Sequence, residues 1–374
     1  MKIIITIIFI LSINLTIGQS LFEVNGTVLD YTSKPIAQAH LSIVGTTLGT
    51  VTNKEGKFSL KIPQKYCAST LGISHISYAT YTLPLDCKQN SRLKIILSEG
   101  AIQLDEVNIT ALTANQIMVN VIRSLNANFQ VNHVNYSIFS RETKKKQNKP
   151  VMFTEYAFNL YHGNKTKPMF NNIKIRGKGF GKLGKKLFKE ERLISLHKIE
   201  RHMMLRYTPA FLRKKKTKNY TYRLIGERLV EDELYYILSI SSSDFDGEMW
   251  VQKKSFGIAY LKETYFNANA TDPNSPWEYE TYYTQNGDKW FFKFATERYT
   301  VKLKKENIIL QVEQQTVATK HSLSKVFDKS KKIALSVQMF KDFKSDFDDG
   351  YWDNQNYIPL DSLFRDALKK DFVK

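Results

Sequence analysis

The chain has 374 residues, 42% of them hydrophobic, which is enough for two or three domains with ordinary cores and too apolar for a disordered chain. Lys and Arg number 55 against 36 Asp and Glu, a net charge of +19 that favours anionic partners through long-range attraction. The sequence contains neither an internal repeat nor a low-complexity segment, which excludes solenoid and linker-like architectures.

Met1 and Lys2 precede apolar runs at 3–10 and 11–17, the pattern of a secretory signal, with cleavage expected after Gly18. Loss of Lys2 with that leader lowers the charge by one, to +18. The apolar stretch is shorter than the ~20 residues of a spanning helix. No cysteine follows it, which argues against a lipoprotein.

Residues 21–98 read as one domain, whose stretch 24–97 holds five or more short β-runs at the spacing of a small sandwich. Within them, Asn53-Lys54-Glu55-Gly56 is a turn between alternating segments, because Asn and Gly accept backbone conformations that other residues resist. Gly26-Thr27-Val28, the run 35–44, 45–52 and Gly56-Lys57-Phe58 together resemble the carboxypeptidase regulatory-like domain. Leu104-Asp105-Glu106-Val107 resembles the tail that follows this domain in related proteins. The resemblance implies a transthyretin-like or Ig-like β-sandwich in an envelope protein of Bacteroidota. That domain often extends the N-terminus of TonB-dependent outer-membrane receptors. A whole receptor is excluded by length, since a 22-stranded barrel with its plug cannot be built from the ~270 residues after the sandwich.

The two cysteines, Cys67 and Cys87, both fall in the sandwich. Runs 69–75 and 79–86 read as a hairpin with its tip near Ser77, and each cysteine lies ten residues from that tip. They would face each other at its open end, where a disulfide suits an exported protein; two buried thiols are the alternative.

Residues 99–112 read as a linker. Thr113 is expected to cap a helix over 113–130, because Ile117, Val121, Leu125 and Phe129 recur every fourth residue. From 131 to 345 the pattern becomes an antiparallel β domain, with strands expected at 134–142, 151–162, 171–176, 220–230, 233–242, 247–253, 257–268, 277–285, 289–303 and 307–318. Asn286-Gly287 is expected to form a type I′ hairpin turn. A basic insertion at 177–219 interrupts the strands, with helix expected over 186–204. A further helix is expected over 323–343. The tail, 346–374, reads as an extended segment and then a short helix through Leu363, Phe364 and Leu368. The fold class is therefore mainly β: a sandwich, then a larger curved antiparallel meander with covering helices.

Three patterns invite chemistry. His197 and Glu200 have the His-x-x-Glu spacing of zinc carboxypeptidases, and His321 lies 124 residues on, in range for a third ligand. Those enzymes need a large α/β domain and a general base that this pattern leaves unassigned. Gly179, Gly181 and Gly184 match G-x-G-x-x-G, but no parallel-sheet pattern accompanies them. Asp342, Asp346, Asp348 and Asp349 lack the twelve-position loop and terminal Glu of an EF-hand. The expectation is accordingly no enzyme, no catalytic or metal residue and no cofactor.

The expected role is non-catalytic: a binding, adaptor or structural protein of the periplasm or outer membrane. Its expected partners are envelope proteins or an anionic lipid or glycan, with peripheral outer-membrane association and without nucleic acid. Basic runs at 144–146, 182–189 and 213–218 carry that expectation. Two alternatives stand beside it. The stretch 235–265 is similar in pattern to the strand-turn-strand of LolA/LolB-like lipoprotein carriers, which hold acyl chains; the other is a zinc-dependent hydrolase.

Overall fold

In the computed structural model, the described residues are 21–86, 92–99, 112–129, 133–163, 169–190, 201–203, 208–230, 233–266, 275–323, 350–352 and 355–372. The expected leader, Cys87, most of the linker, His197, Glu200, the expected 323–343 helix beyond its first residue and the aspartate cluster lie outside them. Among the described residues no helix is long and apolar enough to cross a membrane.

The N-terminal strands are β1 (Leu21–Asp30), β2 (His40–Ile43), β3 (Gly49–Val51), β4 (Lys57–Pro63), β5 (Thr70–His75), β6 (Tyr78–Pro84) and β7 (Arg92–Leu97). They form two sheets, β4-β1-β7 and β3-β2-β5-β6. β1 runs antiparallel to β4 and parallel to β7. The alternation of buried and half-buried residues in β4 supplies Phe58, Leu60 and Ile62 to a core completed by Val24, Leu41 and Ile73. Asn53 makes its turn through its side chain: Oδ1 accepts from the N–H of Glu55 and of Lys57, both at 3.0 Å. The left-handed position belongs to Gly56, at φ +69°.

The ten later strands are β8 (Val134–Lys146), β9 (Lys149–His162), β10 (Met169–Gly179), β11 (Thr221–Val230), β12 (Glu233–Ser242), β13 (Phe245–Gln252), β14 (Ile258–Tyr265), β15 (Trp277–Asn286), β16 (Lys289–Leu303) and β17 (Ile308–Leu323). All ten match expected runs, with ends shifted by a few residues. They make one sheet in the order β10-β9-β8-β17-β16-β15-β14-β13-β12-β11. The chain enters at the middle, builds outward to β10, crosses to the far edge and returns strand by strand to pair β17 with β8. The expected basic insertion is that crossover.

Two turns differ from expectation. At Asn286-Gly287 the pair Asn286↔Lys289 leaves Gly287 and Asp288 as the loop, and of these only Gly287 has positive φ. This is the pattern of a II′ turn, not the I′ turn expected. Two positive φ values occur instead in the β8–β9 turn, at Gln147 and Asn148, a pair without the glycine that usually marks it.

Among the described residues the named helices are α1 (Ala114–Asn128), α2 (Gly181–Glu190) and α3 (Ser362–Phe372). α1 begins at a full capping box: Thr113 Oγ1 accepts from the Gln116 N–H (3.3 Å), and Gln116 Oε1 accepts from the Thr113 N–H (2.7 Å). Its Ile117, Met118 and Val121 are buried against Leu238, Met249 and Leu261 of the large sheet. α2 starts five residues before the expected helix, directly after β10. The Gly-x-Gly-x-x-Gly run serves this junction, since a Cβ on Gly179 would strike the Gly184 backbone and one on Gly184 the Val151 carbonyl. β10 pairs antiparallel with β9, so no dinucleotide-type βαβ unit is present here.

Candidate functional site: the seam between sandwich and sheet

The sandwich does not stand apart from the large sheet. Gln38, on the loop before β2, enters a polar group on β15 and β16. With its amide oriented to satisfy both ends, its nitrogen donates to Glu280 Oε2 (3.0 Å) and its oxygen accepts from Arg298 (3.1 Å) and Thr296 Oγ1 (3.1 Å). Arg298 also pairs with Glu280 (3.0 Å) and Glu313 (3.1 Å), and Lys54 of the sandwich reaches Glu313 at 2.6 Å. On the sandwich's other flank, Arg228 of β11 donates to the carbonyls of Ile76 and Ser77, each at 3.1 Å.

The C-terminal segment straps the two parts together. Asn356 pairs with the β4 backbone in both directions: Oδ1 accepts from the Lys61 N–H (2.5 Å) and Nδ2 donates to the Lys61 carbonyl (2.9 Å). The Ser362 N–H donates to Glu55 (2.6 Å). On the sheet side, Tyr357 stacks on Phe139 with centroids 4.3 Å apart. Arg141 donates to the carbonyls of Ile358 (2.6 Å) and Pro359 (3.1 Å).

Arg141 also holds Glu155, whose side chain is 1% exposed. The Arg141 Nε lies 2.6 Å from one carboxylate oxygen, and Arg176 Nε 2.5 Å from the other. Burial opposes ionisation of Glu155, yet Arg141 and Arg176 hold its carboxyl below the usual range.

A cleft of about 450 Å³ opens along this seam, between β2–β3 of the sandwich and β15–β17 of the sheet. That is the size of a small-molecule site. His40, Thr50, Thr284, Gln285, Lys293 and His321 line it. Lys293 brings a positive charge, and no carboxylate lines the cleft among the described residues. Three buried polar atoms of lining residues, His40 Nε2, Thr50 Oγ1 and His321 Nε2, find no hydrogen-bond partner within the protein and are closed off from solvent. Each such atom costs about 1–3 kcal/mol if nothing meets it.

His40 sits 5.9 Å from the rings of both Tyr282 and Phe294. Burial, with Lys293 nearby, pushes its imidazole well below the ordinary range, so it is neutral. His321 stacks on Phe291 at 4.4 Å, and burial lowers its pKa as well.

Of the sequence candidates, His321 is therefore in the cleft wall, while His197 and Glu200 lie outside the described residues. Among those described, no three His, Cys, Asp or Glu side chains gather as for a metal ion. Cys67 follows the 3-10 turn after β4. The β5–β6 ladder pairs Thr70 with Pro84 and continues to the Leu85 N–H on the Ser69 carbonyl (2.9 Å); Cys87, the expected partner of Cys67, lies outside the described residues. Sequence reasoning missed the cleft because its lining comes from segments more than 200 positions apart; the one local signal was the histidine in His40-Leu41-Ser42-Ile43, at the head of an apolar strand.

Comparison with known proteins adds the following. Residues 24–109 match the model of the CarboxypepD_reg-like domain. Over 84 residues the chain is 34% identical to the TonB-dependent receptor SusC of Bacteroides thetaiotaomicron. That match takes in 22% of this chain and spans only 8% of the receptor. Among solved structures, a DUF1329 family protein from Desulfovibrio piger is 9% identical over 58% of this chain and 96% of its own, with a TM-score of 0.26. Lipovitellin is 9% identical over 55% of this chain and 27% of its own, also at 0.26. A putative membrane-associated protein from Bacteroides fragilis covers 80% of this chain and 98% of its own at 6% identity and a TM-score of 0.18. Scores this low do not amount to a shared fold. The N-terminal unit, residues 24–109, is a CarboxypepD_reg-like domain.

Proposed function

We propose that this chain is an exported, non-catalytic binding protein of the bacterial envelope, in which the CarboxypepD_reg-like sandwich is clasped to the large sheet and a small anionic ligand occupies the seam cleft. The relation to a TonB-dependent receptor supports an envelope setting. The observation that carries the binding role is the seam cleft of about 450 Å³, lined by Lys293, Thr284 and Gln285 and by no carboxylate among the described residues. A carboxylate or phosphate offers oxygens to Lys293 and to the Thr284 hydroxyl.

A lipid carrier is less well supported. The face of β12–β14 that would hold an acyl chain is filled by α1 and by Phe211 and Leu212.

The test compares small molecules retained by the purified protein and by Thr284→Trp, which places a large ring in the cleft. One anionic compound near equimolar in the wild type and at least tenfold depleted in the variant is the expected result. Equal retention by both, or none by the wild type, would overturn the ligand site.

A further inference from the structure

Three lysine-rich elements that are far apart in sequence meet at one end of the large sheet. The first is the β8–β9 turn, which exposes Lys146 and Lys149. The second is the end of β16 with the turn to β17, which exposes Lys302, Lys304 and Lys305. It is brought alongside because β17 begins next to the end of β8, with Gln311 opposite Lys145.

The third is α2. Its Leu183, Leu187 and Phe188 pack onto Val151, Met152 and Leu310, which lays the helix across the same end. The opposite side of the helix then exposes Lys182, Lys185, Lys186 and Lys189. Lys186 reaches Glu306 of the β16–β17 turn at 2.6 Å, tying the two elements together. Ile309, 49% exposed, stands among these charges directly opposite Lys302.

We propose that this end of the sheet docks on the surface of an anionic lipid bilayer. Nine exposed lysines converge from three elements, and Glu306 is half-buried beside one of them. Lysines near an anionic membrane each add a few-fold to binding, and their aliphatic stems lie along the interface while the ammonium groups stay in water. Ile309 gives the patch an apolar contact that a soluble polyanion would not use. This surface goes beyond the ligand reading, since the cleft lies at the seam and shares none of these lysines.

The experiment is sedimentation of the full chain with vesicles of neutral phosphatidylcholine and with vesicles containing phosphatidylglycerol. Three proteins are compared: wild type; Lys182→Gln, Lys185→Gln, Lys304→Gln and Lys305→Gln combined; and Lys214→Gln, Lys215→Gln, Lys216→Gln and Lys218→Gln combined. The last set removes the same charge from exposed lysines just before β11, at the opposite edge of the sheet.

Docking by this surface predicts binding to the anionic vesicles only, weakened about a hundredfold or more by the first set and less than about fivefold by the second. Binding should also fall in high salt. Equal loss in both variants would mean general attraction by net charge and would overturn the proposal. So would binding to neutral vesicles, or full displacement from vesicles by soluble polyphosphate at equal phosphate concentration.

Discussion

Replacing Arg141 with alanine is expected to destabilise the chain by about 3–5 kcal/mol, the cost of removing one partner from a buried ion pair. The change strands Glu155, 1% exposed, with Arg176 alone. It also removes both donors that hold the Ile358 and Pro359 carbonyls. Urea unfolding measures the loss, and limited proteolysis should cleave near 355–361 sooner than in the wild type. Adding Glu155→Gln to the Arg141→Ala chain should recover part of the loss, because much of the cost is the uncompensated charge. A loss below about 1 kcal/mol for Arg141→Ala would mean that water reaches Glu155 and that the strap is not anchored there.

Acidification from pH 7.5 to pH 5 is expected to lower stability, by roughly 2 kcal/mol from His75 and further from His40. Burial, with the nearby Arg228 charge, brings His75 down to about 4, and burial with Lys293 holds His40 well below 6.5. The His75 ring is neutral in the fold at pH 5 and becomes protonated on unfolding, and the His40 ring shifts in the same direction. The unfolded chain thus binds more protons below its histidine pKa of about 6.5, so stability falls as pH drops. Glu55 adds a second decline below pH 4.5. Burial raises its pKa, but Lys57 and the Ser362 N–H outweigh it and bring the group to about 2. Urea midpoints across pH 5–7.5 give the slope, which should flatten in His75→Gln. A midpoint independent of pH over that range would contradict the buried, neutral histidines.

Much of the fold was legible because it rests on local rules. The Thr113 cap with its four-residue apolar repeat marked α1, and alternation marked all ten strands of the large sheet. Their order was not legible. Nothing local says that β17 returns to β8, since that pairing joins positions about 180 apart. Turn type was half legible at Gly287 and hidden at Gln147-Asn148, where tertiary pairing imposes left-handed backbone on residues that do not advertise it. The seam was not legible at all. Gln38 and Arg141 look like ordinary polar residues until the sheet and the strap bring their partners to them. The basic runs at 144–146 and 182–189 were visible singly, but their meeting with the 302–305 turn required the register of β8 against β17.

Native mass spectrometry of the mature protein, purified from its own envelope under mild conditions, tests the central reading most directly. The expected result is a reproducible added mass of one small anionic compound, on a polypeptide two hydrogens below its reduced mass when Cys67 and Cys87 are bridged. A bare polypeptide from every preparation would contradict the seam cleft as a ligand site, and an added mass of lipid size would move the ligand to an apolar surface of the sheet.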